Sequence, residues 1–149
     1  MKPYIRILAL MLTSVAWPAA AMALTPMLVD QSACLDGSGN DAVAACTRVV
    51  DTGLLQDRAL ADIYHKRGAT WIDLRQYDRA VDDFTQAIRL RPDNPVAFND
   101  RGVTYMKKGD YDRAIADFDQ AIGLFPNYGL AIANRVIAVA VRKYGGVVQ

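Results

Sequence analysis

Apolar residues between Ala61 and Tyr128 recur at intervals of three and four residues, which is the spacing of one face of an α-helix. Polar and charged residues fill most positions between them, so each predicted helix has one apolar and one polar face. The apolar stripes come in two pairs, and each pair predicts two helices that pack together as a hairpin. The stripes are Tyr64, Gly68 and Trp71 with Ala80, Phe84, Ala87 and Ile88, and then Phe98, Gly102 and Tyr105 with Ala114, Phe118, Ala121 and Ile122.

The two hairpins are copies of one unit. When residues 61–94 are aligned with residues 95–128, more than a third of the positions are identical. Gly109 and Asp110 predict the turn inside the second hairpin, and Pro92 and Pro126 end the second helix of each copy because proline cannot continue a helix. The chain is therefore predicted to be an all-α array of repeated hairpins.

This unit resembles the tetratricopeptide repeat, a helix hairpin with a period of about 34 residues. Both copies carry the family's order of an aromatic residue, glycine, a second aromatic residue, alanine, phenylalanine, alanine and proline. The run from Tyr111 to Ile122 is similar to small exported bacterial members of the family. The resemblance implies a right-handed superhelical array of antiparallel helix hairpins, in which small residues such as Gly68 and Ala80 let neighbouring helices approach closely.

The pattern extends beyond the two complete copies on both sides. Gly129 to Tyr144 continues it as a lone first helix, and Ser32 to Thr52 is similar to the second part of a degenerate repeat. The packing positions in these two segments hold Ile132, Val136 and Val139, and Ala42, Cys46 and Val49. The predicted divisions are a signal peptide at 1–23, a degenerate N-terminal hairpin at 24–60, the first repeat at 61–94, the second repeat at 95–128, and a C-terminal half repeat with its tail at 129–149.

The N-terminal segment has the layout of a signal peptide. Lys2 and Arg6 precede an apolar run, Ile7–Trp17, and small residues at Ala21 and Ala23 form the cleavage pattern. We expect cleavage after Ala23 or after Ala21. An uncleaved membrane anchor is the alternative, but a membrane span needs about 20 apolar residues, and this run is much shorter. The sequence therefore predicts a periplasmic or secreted protein with no membrane span after cleavage.

Two cysteines, Cys34 and Cys46, are expected to form a disulfide because an exported protein folds in an oxidising compartment. On one straight helix their separation in the sequence would span about 18 Å, which is more than a disulfide can bridge. The chain must therefore turn between the cysteines, and residues 36–40 supply a glycine-rich turn.

Charged residues recur inside the repeat where the family usually has a packing leucine. Arg67 and Arg101 occupy this position, and Arg135 is in phase with them. A buried arginine without a partner is costly, so we expect structural ion pairs with aspartates that recur in the facing helices. The predicted pairs are Arg67 with Asp83 and Arg101 with Asp117. An anion-binding role for the arginines is the alternative.

Composition narrows the range of functions. The 149 residues are 52% hydrophobic and 22% charged, with a formal net charge of +1, which is typical of a globular domain and gives no field that would attract nucleic acid or an anionic membrane. All 16 acidic residues are aspartate, and the chain has one histidine. We therefore expect no catalytic residues, no metal site and no cofactor. A small envelope hydrolase or metal-binding enzyme is the alternative class.

The resemblance implies that a partner binds along the concave side of the array, which the first helices line. Some family members clamp a C-terminal carboxylate there with Lys, Asn and Arg, but this set is absent. The matching positions hold His65, Ala69, Asp100, Leu130 and Asn134. The groove is expected to be polar near His65 and apolar near Ile137, which suits an amphipathic segment of a partner protein. The predicted groove residues are His65, Lys66, Ala69, Ile72, Asn99, Asp100, Val103, Met106, Asn134, Ile137 and Val141.

These patterns predict a non-enzymatic protein-interaction module or assembly adaptor of the bacterial cell envelope. A disulfide-stabilised structural domain that binds nothing in its groove is a further alternative. Between Ala131 and Val141 only Asn134 and Arg135 are polar, and apolar surfaces of this kind mark interfaces. We expect either a homodimer that packs through this C-terminal helix or a partner that covers it.

Overall fold

The computed structural model describes residues 19–145, with side-chain packing from Pro26 onward. Residues 1–18, most of the predicted signal peptide, and the tail residues 146–149 lie outside the described residues. Seven α-helices and no strand occupy residues 19–145, and none of these helices is both long and apolar enough to cross a membrane. The helices are α1 (Ala19–Asp36), α2 (Gly39–Asp51), α3 (Asp57–Asp73), α4 (Tyr77–Leu90), α5 (Pro95–Lys107), α6 (Tyr111–Leu124) and α7 (Gly129–Tyr144). Both predicted cleavage positions fall within α1.

The helices pack in chain order as three hairpins, α1 with α2, α3 with α4 and α5 with α6, and α7 packs against α6. Each first helix also lies against the next first helix, in the order α1, α3, α5 and α7. Within residues 19–145 the second helices, α2, α4 and α6, do not approach one another. The first helices therefore form the inner layer of the array, and the predicted all-α repeat fold is confirmed.

The first helix of the first repeat is longer than predicted. α3 begins at Asp57, before the expected boundary at Ala61, and has 17 residues against 13 in α5. In the second repeat Pro95 is the first helical residue, and the side chain of Asn94 caps the helix by accepting a hydrogen bond from the backbone N–H of Val96 at 3.1 Å. The first repeat has neither a proline nor a capping asparagine around Ala61. Its first helix, α3, therefore extends by about one more turn toward the N-terminus.

In each complete hairpin a phenylalanine of the second helix packs directly onto a glycine of the first. Phe84 and Phe118 are fully buried. A Cβ atom added at Gly68 would lie 3.0 Å from Cε1 of Phe84, and one at Gly102 would lie 2.7 Å from Cε1 of Phe118. Any side chain at either glycine would therefore push the helices apart, which explains the small residue in both copies.

A disulfide closes the N-terminal hairpin. The Sγ atoms of Cys34 and Cys46 are 2.05 Å apart, and their Cα atoms are 4.7 Å apart. The expected turn lies between α1 and α2, where a Cβ atom at Gly37 would stand 2.2 Å from the carbonyl oxygen of Ala33, so glycine is required. The two cysteines share a buried cluster with Ala45, Val49 and Ile63. Because Ile63 belongs to α3, this cluster also joins the N-terminal hairpin to the first complete repeat.

Arg67 connects two successive hairpins. Its Nε and Nη2 groups donate to the two carboxylate oxygens of Asp83 at 2.8 Å, and its Nη1 group donates to the hydroxyl of Thr47 at 3.0 Å. Asp83 lies on α4 and Thr47 on α2. One guanidinium therefore bonds the second helix of its own hairpin and the second helix of the preceding hairpin. We call this arrangement an arginine rung.

A second arginine rung has the same geometry one repeat later. Arg101 donates to both carboxylate oxygens of Asp117 at 2.8 and 2.7 Å, and to the hydroxyl of Thr85 at 3.1 Å. The hydrogen bonds that the guanidinium groups donate to the aspartates raise the pKa of Arg67 and of Arg101, and outweigh the opposing effect of burial. Both predicted ion pairs are thus present in the structure, with the threonines as partners that the sequence analysis did not include.

Candidate functional site

The predicted groove residues lie on the three first helices α3, α5 and α7. These residues differ in how much of each side chain is exposed to solvent. Asn99 is buried, Ile137 is about half exposed, and the rest are half-buried. The half-buried set is His65, Lys66, Ala69, Ile72, Asp100, Val103, Met106, Asn134 and Val141.

Four of these side chains form a continuous line of hydrogen bonds across the first helices, here called the polar chain. His65 Nε2 lies 2.9 Å from Oδ2 of Asp100, and the amide of Asn99 donates to Oδ1 of Asp100 at 3.0 Å. The amide of Asn134 donates to Oδ1 of Asn99 at 3.0 Å. The polar chain therefore links α3, α5 and α7, and each link between helices spans one repeat.

The polar chain satisfies its own hydrogen-bonding groups. Within the described residues no buried side-chain nitrogen or oxygen lacks a partner. His65, which the sequence analysis placed in the groove, is engaged with Asp100 and packs its ring 5.4 Å from that of Phe84. These residues fix the spacing of the first helices, because a shift of one helix would break the hydrogen bonds of the buried Asn99 and of its half-buried partners.

The apolar part of the groove is smaller than the sequence suggests. Val103 and Met106 are half-buried and pack against the core of the second hairpin, which includes Phe118. They contribute to helix packing as well as to the groove surface. Ile137 on α7 offers the most exposed aliphatic surface among the predicted residues.

Tyr128 is a residue near the groove that the sequence analysis missed. It immediately precedes α7, at the position that Asn94 has before α5. Burial raises the pKa of the Tyr128 hydroxyl, and the negative charge of Asp100 adds to the rise. The change from a capping asparagine to tyrosine at this position was the available sequence signal.

A separate cleft of about 260 Å³ opens between α3 and α4. Its lining residues are Arg67, Trp71, Arg79, Asp82 and Asp83. The guanidinium carbon of Arg79 lies 4.8 Å from the centroid of the Trp71 ring, which is a cation–π contact. The cleft pairs two positive with two negative side chains, and the carboxylate of Asp83 is bonded to Arg67.

The acidic side chains of residues 19–145 do not gather into a cluster of metal ligands. Among residues 19–145 no group of three or more His, Cys or Asp side chains could hold a metal ion. The buried aspartates Asp83 and Asp117 are instead bonded to arginines. The acidic residues of the core therefore have a structural role in the geometry observed.

Comparison with known proteins identifies the repeat. Residues 72–129 match the family profile described as tetratricopeptide repeat. No curated protein matches the chain. Among solved structures, the TPR domain of OM64 from Arabidopsis is 26% identical with a TM-score of 0.60, covering 66% of this chain and 78% of that one.

Two similar structures contain bound peptides. The second TPR domain of human RPAP3, in complex with an HSP70 peptide, is 24% identical with a TM-score of 0.60, covering 66% of this chain and 78% of that one. The first TPR of Spaghetti (RPAP3), bound to an HSP90 peptide, is 17% identical with a TM-score of 0.69, covering 81% of this chain and 93% of that one. The internal repeat, the array of helix hairpins and the family match together identify residues 72–129 as tetratricopeptide repeat.

Proposed function

We propose that the chain is a non-enzymatic protein-interaction module, or assembly adaptor, that binds a segment of a partner protein along its first helices. The observation that carries this proposal is the polar chain, which holds α3, α5 and α7 at a fixed spacing beside the exposed Ile137. A surface that is already ordered loses little conformational entropy when a partner binds.

The two peptide-bound RPAP3 domains support a peptide as the ligand. The side chains of this groove do not favour a peptide that is bound through its C-terminal carboxylate. His65 and Asp100 bond each other, and a carboxylate placed beside Asp100 would be repelled. The partner segment is therefore an internal amphipathic stretch, with apolar side chains directed at Ile137.

Export to the bacterial envelope, as a periplasmic or secreted protein, is part of the same proposal. Its support is the signal-peptide pattern of residues 1–23 and the disulfide between Cys34 and Cys46. A disulfide inside a buried cluster is stable in an oxidising compartment and is rarely kept in a reducing one.

Site-specific photo-crosslinking in the native envelope tests the groove. A photoreactive residue is introduced at Ala69 on α3, at Ile137 on α7, or at Leu124 on α6 as a matched control. Leu124 is an exposed aliphatic residue on a second helix, similar in exposure to Ile137. The proposal expects one partner protein to be captured at both Ala69 and Ile137 and not at Leu124.

Capture of no common protein at Ala69 and Ile137, or equal capture at Leu124, would contradict the groove. The enzyme alternative is tested on the same purified protein by its metal content and by its turnover of generic ester and peptide substrates. Stoichiometric metal, or turnover well above that of a heat-denatured sample, would favour the enzyme alternative.

A further inference from the structure

One face of α7 corresponds to the hairpin interface of the earlier repeats but is open to solvent. Ile132 and Val136 occupy the positions that Tyr64 and Gly68 have in the first repeat, where α4 covers this face. Gly68 is buried, whereas Val136 is 60% exposed. An apolar face exposed to this extent is typical of an interface.

Arg135 indicates that a helix covering this face of α7 would carry a negative charge. Arg67 and Arg101 each bind the carboxylate of a covering second helix through Nε and Nη2, and their side chains are only 15% and 18% exposed. Arg135, at the same position of α7, donates through Nε to Asp119 of the preceding helix, and its side chain is 42% exposed. Among the described residues it makes no other hydrogen bond. Its terminal nitrogens are therefore free to bind a carboxylate from a helix that covers α7.

Val136 limits which side chain that covering helix can present. At the equivalent Gly102 a single added Cβ atom would already lie 2.7 Å from Cε1 of Phe118. Val136 carries three side-chain carbons at this position, so a helix with phenylalanine opposite would clash. A covering helix must place alanine or glycine there.

A second copy of α7 would not meet these requirements. The sequence alone allows either a second copy of the chain or a partner protein to cover α7. However, α7 contains no acidic residue and could not supply a carboxylate to Arg135. Charge complementarity therefore favours a partner.

We propose that the open face of α7, formed by Ile132, Arg135, Val136 and Val139, docks an amphipathic helix of a partner protein. That helix carries an aspartate or glutamate facing Arg135 and, next to it, an alanine or glycine facing Val136. This surface is separate from the groove of the first helices and does not depend on it.

The α6 sequence of the chain itself provides the probe. A peptide of residues 111–124 with Phe118→Ala keeps the carboxylate of Asp117 and removes the clashing ring. A side-chain staple between the positions of Asp112 and Ala116, both exposed in α6, is needed because isolated helices of this length are marginal in water. Fluorescence anisotropy with the full chain measures its binding.

The proposal expects this peptide to bind at least about tenfold more tightly than a version with Asp117→Asn, because a charge-assisted hydrogen bond is lost. The proposal also expects the Phe118→Ala peptide to bind at least about tenfold more tightly than the peptide that retains Phe118. In the chain variant Arg135→Gln, the difference between the Asp117 and Asn peptides disappears. In Val136→Gly, the preference against Phe118 disappears. Arg89→Gln, an exposed arginine of α4, is the matched control and changes neither preference.

Equal binding of the Asp117 and Asn peptides to the unaltered chain, or binding of none of the three peptides, would overturn the proposal. Light scattering supplies an independent test. A dimer at micromolar concentration that Val136→Lys converts to a monomer would show that a second copy covers α7, which also overturns it. A monomer that binds the Phe118→Ala peptide in the expected order supports it. The groove proposal depends on crosslinking at Ala69 of α3, whereas this proposal depends on peptide binding at Arg135 and Val136 of α7. Failure of one proposal can therefore be distinguished from failure of the other.

Discussion

Gly68 and Gly102 are the points at which a phenylalanine of the second helix packs directly onto the first helix of each complete hairpin. Each faces the ring of a fully buried phenylalanine at 3.0 Å or less from the position of an added Cβ atom. Glycine in a helix costs about 1 kcal/mol relative to alanine. Both repeats nevertheless have glycine here, because Phe84 and Phe118 can pack only against a residue without a side chain.

Replacement of one of these glycines should therefore destabilise the fold. We predict that Gly102→Ala lowers the free energy of unfolding by about 1 to 2 kcal/mol, since overpacking outweighs the gain in helix propensity. Gly123 of α6 is the matched control because no heavy atom lies within 4 Å of an added Cβ there. Gly123→Ala should raise the free energy of unfolding by up to about 1 kcal/mol. Urea denaturation measures both, and a shift of the same sign would contradict the prediction.

The arginine rungs make single charged side chains important to stability. We predict that Arg101→Ala lowers the free energy of unfolding by about 3 kcal/mol because it leaves Asp117 buried without a partner. Arg142→Ala removes an exposed pair with Asp112 and should cost less than about 1 kcal/mol. Thermal denaturation compares the two variants. Equal melting temperatures would mean that Arg101 does not need its partner.

The N-terminal hairpin, α1 with α2, differs from the two complete repeats in what holds its helices together. Where the later second helices bury Phe84 and Phe118, α2 buries Cys46, which is bonded to Cys34 of α1. A covalent bond thus stands in the place of aromatic packing. The same cluster includes Ile63, so loss of the bond would also weaken the contact with α3.

We predict that the mature protein has no free thiol, because Cys34 and Cys46 are bonded to each other. Closing a loop of this length stabilises a small domain by about 3 kcal/mol. The double variant Cys34→Ala and Cys46→Ala should lower the melting temperature accordingly, and reductant should then have no further effect. Thiol labelling under denaturing, non-reducing conditions checks the first part, and two labelled cysteines would refute it.

Across residues 19–145, each helix contacts only helices near it in the chain. Stability in such arrays is a sum of local terms, so the parts can open separately. α5 has neighbours on both sides, whereas α7 leaves Ile132 and Val136 exposed. The array is therefore expected to open first at α7.

Hydrogen exchange followed by mass spectrometry tests this order. We predict that backbone amides of α7 exchange faster than those of α5, because fewer contacts oppose the opening of α7. Binding of the stapled Phe118→Ala peptide should slow exchange in α7 more than in α3. Equal protection of α5 and α7 in the free chain would show that the array opens as one unit.

The features that the sequence revealed are those that recur with the period of the repeat. Gly102 and Asp117 could be assigned because each has a counterpart one repeat earlier, at Gly68 and Asp83. The threonine of the first rung could not be found this way, because Thr47 lies 20 residues before Arg67 whereas Thr85 lies 16 before Arg101. The bond between His65 and Asp100 was missed for another reason. It joins different residue types on two repeats, so only the packed structure brings them together.

The arginine rung has a consequence for how this chain can change in length. Arg101 reaches a partner 16 residues before it and another 16 residues after it, and both lie on neighbouring second helices. A copy of the first repeat, residues 61–94, inserted between the two existing repeats would bring its own arginine, threonine and aspartate in the correct register. It would also bring the glycine and phenylalanine that close its hairpin. Duplication of residues 61–94 would therefore lengthen the solenoid with every arginine rung kept in register.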